Sequence, residues 1–440
     1  MAFIIDKQTL TDLKIFNKPQ SDSIFGIFNK AQTRGSAQIL EDMFRYPLSE
    51  AEKIKERISI FRFFMERKIV PKLNSEWFDS IEHYLSNTDE RARLKAHDNN
   101  LRQRLNRIIG ADVAYAVIHK AVLSTVHLCE EARGIIRMLS DAPASMRQDV
   151  DTLERLLGTE TFAWTAAEVK VKRLPYHKVA ACDELLRYKG ITDFRKFLEI
   201  LYRIDVYGAV AKVADERGFV LPEVTTDDNL YIKGLRHPLL KNAVPNTVTM
   251  EKGQKVIFLT GANMAGKSTF MKSFGTIMFL AHMGFPVPAE EMRFGVHNGM
   301  YTTINLPDNM HMGLSHFYAE VRRLKKVADQ VNREGRLIIV FDELFRGTNV
   351  KDAHEATVEV MRAFADRNDC IFMISTHIIE AGEDLKDRAD SIKFVYFPTI
   401  MQPDGKPKYT YQLTEGITGD RHGMMIVNNE RIIEILTPKV

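Results

Sequence analysis

Val256-Ile-Phe-Leu-Thr-Gly-Ala-Asn-Met-Ala-Gly-Lys-Ser-Thr269 is the stretch whose reading decides the fold. Val256 to Leu259, four apolar and partly β-branched residues, read as a buried strand. Gly261, Gly266, Lys267 and Ser268 then fit G-x-x-x-x-G-K-[ST]. From Thr269 the chain continues with Phe270, Phe274, Ile277 and Met278 at helical spacing. Strand, glycine loop and helix in that order form a phosphate-binding loop. The glycines let backbone N–H groups approach a phosphate, the helix N-terminus favours the anion, and Lys267 adds a point charge. Ser268 offers a hydroxyl to Mg²⁺, and the segment Gly261, Ala262, Asn263, Met264, Ala265, Gly266, Lys267, Ser268 and Thr269 is the expected nucleotide cradle.

Two further strands point at the same place. Leu337-Ile-Ile-Val-Phe-Asp-Glu343 is an apolar run ending in two carboxylates, about 75 residues after the loop lysine. At the carboxyl end of a parallel strand, Asp342 is placed to hold the metal and Glu343 to orient and deprotonate an attacking water. Ile371-Phe-Met-Ile-Ser-Thr-His377 brings a polar pair to the same sheet edge, with His377 a candidate sensor of the γ-phosphate. The Asn263 amide, inside the loop, can reach a phosphate oxygen or the water.

Around this centre, the apolar period changes near Pro222. Downstream, Val256–Leu259, Leu337–Phe341, Ile371–Ser375 and Ile392–Phe397 alternate with helical stretches, which predicts a parallel sheet with crossovers; Tyr409–Leu413 is a possible edge strand. Asp227 to Thr249 reads as loop-rich. Upstream the pattern is helical. Ser49-Glu-Ala-Glu52 is a capping-box start, Arg91 to Leu139 a long helical stretch weakened at Gly110, Asp141 to Met146 a break, and Thr192-Asp193 the cap of another helix. The fold class is therefore α plus α/β: a helical domain over residues 1–228 and a P-loop α/β nucleotide-binding domain over 229–440.

Composition limits the function classes. The 440 residues carry 61 basic and 58 acidic side chains, a balance that does not by itself argue for a nucleic-acid partner. Cys129, Cys182 and Cys370 match no metal or disulfide spacing and read as buried, reduced thiols of a cytoplasmic protein. The apolar run at the start is cut by Asp6 and Lys7, and Thr276 to Ala289 is too short to span a bilayer, so no membrane role is expected.

Thr260 to Thr269, Asp342-Glu-Leu-Phe-Arg-Gly-Thr348 and Ser375-Thr-His377 resemble the ATPase domain of the MutS mismatch-repair family, which is of the ABC type. Arg236-His-Pro-Leu239 resembles the start of that domain, and Ser315-His-Phe-Tyr-Ala-Glu320 its signature segment. Leu413 to Gly423, with Gly416, Gly419, His422 and Gly423, resembles its last segment. Upstream, Ser23 to Asn29, Arg34-Gly-Ser36 and Tyr46-Pro47 are similar to the family's helical core, and Phe194 to Gly218 to its lever helix.

The resemblance implies ATP and Mg²⁺ as cofactors, with Tyr411 stacking on adenine and Ser315 reaching the partner's ATP across a homodimer. It implies DNA as partner and mismatch repair or a related DNA process as the setting. Several family features are expected to be missing: the mismatch-reading and connector domains before the core, a full DNA clamp between Leu139 and Thr192, and long C-terminal helices. DNA binding of low mismatch specificity is expected for that reason. Ala262 and Ala265 replace residues usually Pro and Gly, Leu314 an Arg, and Phe345 a Gly. A nucleotide-gated scaffold that binds DNA weakly or not at all is the alternative. The basic runs Arg91 to Arg93, Arg102 to Arg107 and Lys170 to Arg173 could touch phosphates or be solvated faces.

Overall fold

A computed structural model describes residues 3–16, 22–87, 94, 110–227, 229–304, 316–402, 407–418 and 435–436. The chain divides into two compact units, one of Met1–Ile27, Tyr46–Ile58 and Arg217–Val440, the other of Phe28–Arg45 and Ser59–Glu216. This differs from a single boundary at 228. The N-terminal residues belong with the sheet because Ile4–Ile5 pairs in parallel with Gly299–Thr303.

The strands of the first unit are β1 (Ile4–Ile5), β2 (Glu223–Thr225), β3 (Leu230–Leu235), β4 (Asn246–Met250), β5 (Val256–Gly261), β6 (Glu291–Gly295), β7 (Gly299–Thr303), β8 (Leu337–Phe341), β9 (Ile371–Ser375), β10 (Ile392–Phe397), β11 (Thr399–Met401), β12 (Pro407–Tyr409) and β13 (Thr414–Glu415). Seven form the main sheet in the order β1-β7-β8-β9-β5-β10-β13, parallel except for the antiparallel edge strand β13. Every residue of β5, β8 and β9 is buried, the signature of a sheet covered on both faces. Burial of each such Val, Ile, Leu or Phe contributes about 1.5–3 kcal/mol. Phe258→Ala, at a fully buried site of β5, would cost about 3–5 kcal/mol. The helix Lys267–His282 after the loop is buried on nearly all sides, from Phe270 through His282.

Strands β5, β8, β9 and β10 fall where their apolar runs predict. Elsewhere the structure adds to the sequence reading or departs from it. Residues 227–249 are loop-rich, with a loop over 236–245, but they also carry β3 and β4, which join β2 and β6 in a second sheet of order β2-β6-β3-β4. Tyr409–Leu413 is not a strand, because Tyr411 has φ +55°; the edge place goes to β13, while β12 forms a hairpin with β11. β7 carries little apolar signal, Gly-Met-Tyr-Thr-Thr, yet is wholly buried. Its burial is tolerable because Thr302 Oγ1 donates to Asp12 Oδ2 at 2.8 Å and its amide to Thr9 Oγ1 at 2.9 Å. Nothing local to β7 reveals those partners.

The second unit is helical. Ser75–Ser86 packs along Gly110–Met138, with the Trp77 and His127 rings stacked at 5.1 Å, and Ile191–Arg217 is buried without a break from Ile204 to Ala211 and on one face before it, at Phe194, Phe197, Leu198 and Leu201. That last helix begins at Ile191, one residue before the expected cap. Tyr84 Oη and Arg187 Nη2 donate to the two carboxylate oxygens of the buried Asp183, at 2.7 and 2.8 Å. A buried carboxylate needs such partners, and they tie the π-helical turn Glu184–Lys189 to the helix carrying Tyr84. The expected basic runs 91–93 and 102–107 lie outside the described residues.

Candidate active site

The carboxyl ends of β5, β8, β9 and β10 lie side by side, since Leu259 is in register with Ser375, Phe341 with Ile374 and Gly261 with Phe397. The loop 261–266 turns there. Gly261 has φ +136° and Gly266 φ +108°, backbone that L side chains rarely adopt. A Cβ on Gly266 would also stand 3.2 Å from the Tyr411 ring. Ala262 and Ala265 are accommodated: the Ala265 amide donates to the Ala262 carbonyl at 3.3 Å and Ala265 is buried.

Lys267 is 5% exposed, and its Nζ donates to the carbonyls of Gly261 at 2.8 Å and Ala262 at 3.2 Å. Burial lowers its pKa, while the charges of Asp342 and Glu343 act the other way. Those carboxylates are held from the next strands. Ser375 Oγ donates to Asp342 Oδ1 and accepts the Glu343 amide at 3.2 Å. His377 Nε2 lies 2.6 Å from Glu343 Oε1, and Arg346 Nη1 lies 3.2 Å from Oε2. The hydrogen bond from His377 is the largest influence on Glu343 and holds its carboxyl below the ordinary value; His377, Arg346 and Lys267 charges add to this.

Backbone strain is concentrated here. Seven non-glycine residues have positive φ among the described residues, and four of them, Met264, Glu343, Phe345 and Tyr411, belong to this region. Phe345, at φ +61°, explains why glycine suits that position; its ring is nevertheless 4% exposed in the apolar core.

A cleft of about 360 Å³ opens beside the loop, lined by Asn263, Lys267, Ser268 and Glu343 on one side and by His237, Val244 and Tyr411 on others. The structure thus brings together Asn263, Met264, Lys267, Ser268, Thr269, Glu343 and Tyr411, with Asp342 and His377 joined through hydrogen bonds. Ser315 and Leu314 lie outside the described residues, as do Gly419, His422 and Gly423.

One residue escaped sequence reasoning. Asn246 donates from Nδ2 to the Tyr411 carbonyl at 3.0 Å and accepts the Leu413 amide on Oδ1 at 2.6 Å. It latches the strained Tyr411 turn to the start of β4.

The comparisons agree with this geometry. The family described as MutS domain V matches residues 257–436. Over these residues the chain is similar to the MutS family. The proteins called DNA mismatch repair protein MutS in Bacillus thuringiensis (strain Al Hakam), Bacillus cereus (strain 03BB102) and Bacillus anthracis (strain A0248) are each 29% identical over 266 residues. That match covers 59% of this chain and only 29% of each relative. The MutS domain V is the P-loop part, and its match begins inside β5 and takes in the whole phosphate loop.

Among the described residues, no group of three His, Cys, Asp or Glu is set to hold a metal, and no helix is long and apolar enough to cross a membrane. A metal here would take few protein ligands. The Ser268 hydroxyl and the Asp342 carboxylate are hard oxygen donors of the kind that hold Mg²⁺ together with phosphate oxygens and water. The donor set fits ATP with Mg²⁺.

Proposed function

We propose that the chain is a Mg²⁺-dependent ATPase whose cycle drives closure of a homodimer and the handling of DNA, in mismatch repair or a related process in the cytoplasm. The observation that carries this is the linked set at one sheet edge: a buried lysine in a phosphate loop, with Asp342 and Glu343 braced by Ser375 and His377.

In this reading the loop amides and Lys267 bind the β- and γ-phosphates, and Ser268 and Asp342 hold the metal. Bound Mg²⁺ neutralises charge that develops on the phosphates. Glu343 is ionised and fixed by two partners, so it can orient a water and take its proton, while His377 keeps the carboxylate aimed. Asn263 contacts a phosphate oxygen or that water. Tyr411 offers its ring to adenine across the cleft. Ser315 is assigned to the partner's ATP from its sequence alone. The helical unit is read as the core and lever of the family, with 1–228 and 229–440 as functional domains.

The test compares nucleotide binding and phosphate release, with and without Mg²⁺, in wild type and Lys267→Ala. The variant should lose both, since the phosphates lose their buried cation. Equal nucleotide affinity in the two proteins would refute the assignment.

A further inference from the structure

The helix His316–Glu334 has two unlike faces. Val327 and Val331 are buried in the core of the main sheet, with Phe317, Val321 and Leu324 packed against it. At 3.6 residues per turn, Arg322, Lys325, Lys326, Asp329 and Arg333 fall on the opposite side, and all five are exposed. With Gln330 they line a shallow concavity of about 410 Å³.

The chemistry of that lining is one-sided, with four cations, one carboxylate and no apolar side chain. Asp329 stands four residues from Lys325 and from Arg333, the spacing at which helix ion pairs close. Yet among the described residues neither pairs with it, and Arg322 has no carboxylate partner either. Only Lys326 is engaged, 3.5 Å from Asp6, whose principal partner is Arg323. The face keeps its charge uncompensated.

We infer that this face docks a nucleic-acid backbone. A protein partner or a bilayer would need an apolar or aromatic anchor, and the lining offers none. A phosphodiester chain needs only a row of cations. Arg322 to Arg333 spans roughly 16 Å along the helix axis, about five base-pair steps of duplex. The choice of DNA rests on the function proposed above, but the surface does not include the nucleotide cleft.

The test measures fluorescence anisotropy of a labelled 30-base-pair duplex against salt, for wild type, Arg322→Glu/Lys325→Glu and the control Lys252→Glu/Lys386→Glu. The control makes the same change in net charge on other exposed positions. Affinity should fall at least tenfold in the first variant, and the slope of log affinity against log salt should flatten by about two. The control should bind nearly as wild type, and basal ATP turnover should be unchanged in all three. Equal losses in both variants, or none in either, overturn the surface while leaving the ATPase reading intact. Wild type that hydrolyses ATP but binds no duplex removes the DNA part of that reading and this inference with it. A stripe variant that keeps DNA but loses a polyglutamate peptide assigns the face to an acidic protein instead.

Discussion

Glu343 and His377, at the ends of two neighbouring strands, meet at 2.6 Å between Oε1 and Nε2. The contact orders their roles. On the function proposed above, Glu343 would carry the charge and meet the water, with His377 aiming it. Glu343→Gln should keep nucleotide binding and lose turnover by about 10²–10⁴-fold, the range of a positioned base. His377→Ala should lose less, because Arg346 still holds the other oxygen. Phosphate release beside equilibrium nucleotide binding checks both. If Glu343→Gln turns over at the wild-type rate, the base is another group.

This centre was legible in the sequence for a physical reason. Buried parallel strands are unbroken apolar runs, so Val256–Leu259, Leu337–Phe341 and Ile371–Ser375 announce both themselves and the polar residues at their carboxyl ends. What could not be read depends on distant partners. β7 buries Thr302 because Thr9 and Asp12 meet it from 293 and 290 positions away. The latch between Asn246 and Tyr411 joins residues 165 apart. Tyr409–Leu413 has strand-like composition, and a single left-handed residue overrides it.

Ser375 is the hinge between the two carboxylates, donating to Asp342 and accepting from the Glu343 amide. Ser375→Ala leaves Asp342 without that donor, so its oxygen is free to rotate away from a metal. Turnover should fall about tenfold, a loss of ~1.4 kcal/mol typical of one hydrogen bond to a charged group. More Mg²⁺ should be needed for half-maximal rate, with metal-free nucleotide binding unchanged. A magnesium dependence identical to wild type would remove Ser375 from this role.

Asn246 and Tyr411 should act as one unit in nucleotide binding. Asn246→Ala releases the turn that presents the Tyr411 ring, and Tyr411→Ala removes the ring itself. Each should weaken nucleotide affinity about tenfold, ~1.4 kcal/mol, with little change in the rate at saturation. The double variant should be no worse than Tyr411→Ala, since the latch has nothing left to present. Additive losses in that cycle would mean that Asn246 affects binding by another route.

His237 gives a pH dependence whose sign can be worked out. Its Nδ1 accepts the Leu239 amide at 3.3 Å, so the ring is neutral with its proton on Nε2. Burial, then the charges of Lys272 and Lys14, push its pKa down from 6.5 to about 4. Below pH 6.5 the unfolded chain takes up this proton and the folded chain does not. The stability contributed by neutral His237 is therefore complete above pH 6.5 and is lost as the pH falls toward 4. His237→Asn keeps an acceptor for the Leu239 amide, as an Asx turn does, without a titrating group. Thermal unfolding followed by circular dichroism should show similar Tm values at pH 8 and a shallower fall in the variant between pH 6.5 and 4. Parallel curves across that window would show that the ring does not titrate as its burial requires.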